Sequence, residues 1–158
     1  MKAKGFTLLE MLVVSLIIGI LAAIALPKYQ LAAEKARAAE GITILRSLRD
    51  AQFNYFLTHG KYSNDINDLD ISFPGEDGSY SGVPRKESKN FSYAVKNIEN
   101  ELAVASRKPL IKDYGLKAQG QQLICRVYTS FGRDVCKSFG GERVVDLAGE
   151  QYEAYEIK

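Results

Sequence analysis

The chain has few of the residues that small enzymes rely on. It contains one histidine and two cysteines in 158 residues, and the lone His59 leaves little scope for imidazole acid–base chemistry. It also lacks the recurring catalytic signatures: G-x-S-x-G, H-E-x-x-H, a phosphate-cradling P-loop and C-x-x-C are all missing. Paired carboxylates are the only catalytic pattern that sequence alone does not test. The expectation is a non-enzyme, with no catalytic residue and no cofactor. An excess of either charge is missing too. The 21 basic residues fall to match the 19 acidic ones once Lys2 and Lys4 are set aside, so nothing global points to nucleic acid as a partner. The length suits one small domain beyond any anchoring segment.

Charge is scarcest near the N-terminus. From Phe6 to Leu26 the only ionisable side chain is Glu10, and an α-helix of that length rises roughly 30 Å, about the hydrocarbon thickness of a bilayer. Ionised side chains are costly inside an apolar medium and are normally paired there, so Glu10 needs a cation. Cutting the chain between Gly5 and Phe6 would supply one. The cut removes Lys2 and Lys4 and creates an α-amino group four residues upstream of Glu10, whose carboxylate also gains from the helix dipole in the first turn.

The run Gly5-Phe6-Thr7-Leu8-Leu9-Glu10, with its short basic leader and unbroken apolar continuation, resembles the class III signal of type IV pilins and pseudopilins. The resemblance implies that a prepilin peptidase cuts after Gly5 and methylates Phe6. It also implies that Glu10, with Thr7 beside it, serves assembly by pairing with the terminus of a neighbouring subunit. The short leader and Phe6 are more similar to type IVa than to type IVb pilins. A type II secretion pseudopilin is the alternative within the family. Outside it stands a secreted binding domain with an ordinary signal peptide, cut near Ala23-Ile24-Ala25. That second alternative would put Glu10 in the apolar core of the signal and gives no reason for Gly5-Phe6. Helix-favouring residues also run straight through its supposed cut to Glu40.

Gly19 and Pro27 interrupt the apolar segment, and a kink or local melting is expected near residues 23–27. Beyond Pro27, apolar residues recur at Leu31, Ala38, Ile42, Leu45, Leu48 and Tyr55, with charged residues between them. This is the pattern of an amphipathic helix lying on a domain and ending at Thr58-His59-Gly60. Residues 61–90, with Pro74, Gly75, Gly78, Gly82 and Pro84, read as a polar connection. Within it, Asp65, Asp68 and Asp70 do not have EF-hand spacing, and Arg85, Lys86 and Lys89 read as surface charge. Phe91–Val95 and Leu102–Ser106 read as a hairpin, Leu123–Tyr128 as a third strand, and Val144-Val145 or 152–157 as an edge strand.

Cys125 and Cys136 form an even pair in a chain with an export signal, which favours a disulfide. Two buried thiols are the other reading, and no metal site is expected, since His59 is far away in sequence and no third ligand suggests itself. Cys136 to Gly141 also resembles the end of the disulfide-bounded loop of many pilins. The fold expected is α+β, a long helix with a hydrophobic half and an amphipathic half packed on a small antiparallel sheet, which the resemblance makes a pilin fold. Its divisions are a leader at 1–5, a transmembrane or filament-core helix at 6–30 and a globular domain at 31–158. The resemblance implies as partners other copies in a helical filament, the prepilin peptidase, the inner-membrane assembly machinery and the membrane itself. It implies a single-pass inner-membrane protein before assembly and an extracellular filament after it, or a periplasmic pseudopilus under the alternative.

Overall fold

In the computed structural model, residues 6–72, 75–98, 100–109, 113–144 and 153–158 are described, and Gly5 and Pro74 lie outside them. One helix, α1 (Leu8–His59), runs 52 residues. It ends where glycine permits: Gly60 adopts φ 70°, and its amide donates to the Phe56 carbonyl at 2.8 Å. His59 stacks on the Tyr55 ring with centroids 4.0 Å apart, beside the last helical carbonyls. The helix stays continuous through Gly19 and Pro27, so the local melting expected at 23–27 is absent from the single chain. Proline lacks only one backbone donor, and the flanking turns on both sides remain hydrogen-bonded.

The other elements are β1 (Glu76–Tyr80), β2 (Val83–Glu87), β3 (Phe91–Ile98), β4 (Glu101–Arg107), β5 (Tyr114–Gln119), β6 (Gln122–Val127), α2 (Ser130–Lys137), β7 (Arg143–Val144) and β8 (Ala154–Glu156). They build one antiparallel sheet in the order β1-β2-β3-β4-β5-β6-β8-β7. The expected hairpin is β3–β4 and the expected third strand is β6. Val145 and Tyr152, named for the edge strand, lie outside the described residues; their neighbours supply β7 and β8.

Residues 61–90 are not a plain connection. Glu76 to Glu87 pair as a hairpin whose two turn residues, Ser81 and Gly82, both have positive φ, at 50° and 78°. This is the geometry whose twist matches that of the strands it joins. The aspartates of this stretch are used locally. Asp65 Oδ1 accepts the Asn67 amide at 2.8 Å, capping a 3-10 turn at Ile66–Asp68, and Asp68 Oδ2 accepts the Ser63 hydroxyl at 2.6 Å. The basic residues separate. Lys86 pairs with Asp77, Lys89 is exposed, and Arg85 is buried against Ser92 and the Tyr80 ring.

The core lies between α1 and one face of β3–β6. Helix residues Ala38, Ile42, Leu45 and Leu48 meet Phe91, Tyr93, Ala103, Ala105, Leu116 and Ala118. Each buried leucine contributes about 1.5–3 kcal/mol. The closest approach is at Gly41, where an added Cβ would come within 2.9 Å of Phe91 Cζ and 3.0 Å of Leu116 Cδ1. Cys125 of β6 is bonded to Cys136 of α2, so the short helix is tied covalently to the sheet. Thr129 caps α2, its hydroxyl accepting the Gly132 amide at 3.1 Å.

Candidate assembly site

Among residues 6–26 only Thr7, Glu10 and Ser15 carry polar side chains. Helix α1 begins at them because they satisfy its otherwise unpaired first donors. Thr7 is the N-cap, in extended conformation, and its hydroxyl accepts the Glu10 amide at 3.2 Å. Glu10 reaches back: its Oε2 accepts the Thr7 amide at 2.7 Å and the Thr7 hydroxyl at 2.8 Å. The two residues form a complete capping box. Ser15 donates to the Met11 carbonyl at 2.8 Å, which hides its hydroxyl in the helix backbone. Both Thr7 bonds end on one carboxylate oxygen, and the Glu10 side chain is exposed.

Everything around this carboxylate is apolar and open. Phe6 is 80% exposed and Leu8 91% exposed, and the exposure continues through Met11, Ile18, Leu21, Ile24 and Leu26. The helix is long and apolar enough to cross a membrane, and none of its most apolar window is buried. A surface of this size is stable in contact with lipid or with other apolar helices, and unstable in water. Gly19 has no atom within 4 Å of where a Cβ would sit, so a second helix can approach closely there.

A family profile described as the prokaryotic N-terminal methylation motif matches residues 1–26, which include Gly5, Phe6, Thr7, Glu10 and Gly19. The chain is 38% identical to a type IV major pilin protein PilE1 of Neisseria gonorrhoeae over 87 residues, 55% of this chain and 53% of that one. It is 32% identical to a type IV major pilin protein PilE of the same organism over 120 residues, 76% of this chain and 64% of the relative. The chain is thus similar to type IV major pilins. A type IV major pilin protein PilA of Myxococcus xanthus is 39% identical over 81 residues, 51% of this chain and 36% of the relative. These names favour the pilin over the secretion pseudopilin. The chain spans about half the length of the curated relatives it matches. No solved structure matches it significantly.

Glu10 therefore lies in the first turn of one helix, Thr7 caps that turn and Phe6 precedes it, Gly19 and Pro27 lie farther along, and Cys125 and Cys136 are bonded in the domain. Gly5 is outside the described residues. Sequence reasoning missed two buried polar residues on α1, Glu34 and Gln52. Gln52 donates to the carbonyls of Ser63 at 2.8 Å and Leu102 at 3.1 Å, and it accepts the Ser63 amide at 2.9 Å. Glu34 accepts from Arg107, from Arg37 at 2.9 Å and from the Tyr114 hydroxyl at 2.9 Å. Burial pushes the Glu34 pKa up, but the guanidinium and phenol donors outweigh it and hold the pKa at about 2. A polar residue in register with the apolar stripe was the available signal.

Proposed function

We propose that this chain is a type IV pilin, the structural subunit of a type IV pilus. It is cut after Gly5, methylated at Phe6, held in the inner membrane by residues 6–30 and then drawn into an extracellular helical filament, with residues 31–158 forming the globular domain. The observation that carries the reading is that, among the described residues, the apolar half of α1 is left unburied and bears a single carboxylate, in its first turn. The division near residue 30 is supported by burial, since the first buried residue of α1 is Glu34.

In this mechanism lipid around the apolar half is exchanged for the same half of other copies. Contacts that are head-to-tail do not close into a ring and so extend as a fibre. Glu10, already oriented by Thr7, accepts the methylammonium of Phe6 on an adjacent subunit, and a subunit seated out of register leaves its carboxylate unpaired in an apolar core. Gly19 allows close helix contact, and Pro27 supplies a weak point at which α1 can yield when subunits pack.

Intact-mass measurement and N-terminal sequencing of purified filaments test the reading. The expected product begins at N-methyl-Phe6. A start near Leu26, or recovery only as a soluble secreted domain, would sink it.

A further inference from the structure

The buried positions of α1 are bounded by two polar residues. Glu34 is the first of them and Gln52 the last, and between them the buried residues are Ala38, Gly41, Ile42, Leu45 and Leu48. Apolar contact is non-directional and by itself tolerates sliding and rotation. The polar ends do not. Gln52 is tied to the start of β4 through the Leu102 carbonyl. Glu34 is tied to the end of β4 through Arg107 and to the start of β5 through the Tyr114 hydroxyl. Arg107 is itself braced, donating to the Asn90 carbonyl at 3.1 Å and lying over the Phe91 ring with 5.8 Å to its centroid.

Upstream of this clamp no residue of 6–30 is buried, and Tyr29 is 72% exposed. Leu31, one turn nearer the N-terminus, packs partly buried against the core, and the clamp is the last polar grip of the domain on the helix before it projects. From Glu34 to Phe6 the helix rises roughly 42 Å, so a tilt of about 10° at the clamp would carry Phe6 roughly 7 Å sideways, beyond the reach of any hydrogen bond.

Resting on the pilus-subunit reading, we propose that Glu34 is a positioning residue for assembly: gripped by Arg107 and Tyr114, it fixes the direction in which the apolar half leaves the domain, so that Glu10 and the N-terminus of an incoming subunit meet. The clamp serves geometry more than stability, since a buried ion pair replaced by apolar groups of similar volume is often neutral or stabilising.

The test uses the full mature chain. Glu34→Gln weakens the clamp but leaves Arg107 without its counter-charge, so a loss of stability would be mixed with any change of direction. The deciding variant is therefore Glu34→Leu/Arg107→Leu/Tyr114→Phe, which removes the clamp and keeps the site apolar. Spin labels on Leu21→Cys and Asp134→Cys, both exposed positions, report the distance between the projecting helix and the domain in detergent micelles. Near-UV circular dichroism reports domain melting, and electron microscopy of cells reports filaments. A melting point at or above that of the parent, a broadened distance distribution and loss of most filaments support the positioning role. An unchanged distance distribution, normal filaments, or a domain that no longer folds each overturn it. Failure of the parent chain to form filaments in cells with an active pilus machinery would count against the pilus-subunit reading instead, and would leave the distance result standing.

Discussion

The Thr7 hydroxyl and the Glu10 carboxylate satisfy one another across the first turn of α1, with contacts of 2.8 Å between the side chains and 2.7 Å from the Thr7 amide to the same carboxylate oxygen. On the proposed reading, this arrangement suits a chain that waits in a membrane before assembly. The carboxylate is solvated by its own helix terminus before a partner arrives, and its orientation is already set when one does.

Thr7→Ala removes the cap hydroxyl and should cost about 1 kcal/mol of stability at the helix start. Thr7→Ser should keep it. Faster amide hydrogen exchange in the first turn, with fewer filaments, is expected for the alanine variant and near-parental behaviour for the serine variant. Equal exchange in the two would mean that the hydroxyl does not hold the turn.

Glu10→Ala should leave the leader cleaved and the chain in the membrane, because it makes the segment more apolar, while filaments disappear. Gel mobility separates precursor from mature chain, membrane fractionation locates it, and microscopy counts filaments. Normal piliation would remove Glu10 from the assembly step.

Much of this was legible in the sequence because it rests on patterns with a fixed period or spacing. The apolar run, the stripe from Leu31 to Leu48 and the glycine stop at Gly60 each follow from helix geometry, and two short runs rich in strand-favouring residues on either side of a turn-like stretch mark β3 and β4. The hairpin β1–β2 was not legible: Glu76-Asp77-Gly78-Ser79 has turn composition, and its strand character comes from pairing with β2. Strand β5 was hidden by Gly115 and by Lys117, which is buried in the sheet. Helix α2 is only eight residues long, carries Gly132 in its first turn and is stapled to β6 by the disulfide, so tertiary contacts rather than propensity make it. At the candidate site Thr7-x-x-Glu10 has the spacing of a capping box, so that pair could have been read in advance. The Glu34 clamp could not, because Arg107 and Tyr114 meet it only through the fold.

Gly41→Ala pits two effects against each other. Alanine in place of glycine in a helix interior gains about 1 kcal/mol, but overpacking a core costs about 1–3 kcal/mol. Phe91 is fully buried and sits 2.9 Å from the new Cβ, so overpacking should win and the melting temperature should fall. Gly41→Val should lower it further. A melting point raised by the alanine variant would show that the Phe91 ring shifts freely.

Acid stability should report on Glu34. Its carboxyl has a folded-state pKa of about 2 against an ordinary value of 4.5: burial raises it, and Arg107, Arg37 and Tyr114 lower it by more. Between those two values the unfolded chain binds the proton and the folded chain does not. The Glu34 contribution is therefore fully present above the ordinary value and is lost progressively as pH falls toward the folded one. Urea unfolding of the mature chain in detergent, repeated from neutral pH down to the acid limit, should show a steeper loss below pH 4.5 in the parent than in Glu34→Gln, which has no proton to take up at that position. Parallel curves for the two would mean that the carboxylate is not held ionised by its three donors, and that the grip on Arg107 and Tyr114 is weaker than their distances imply.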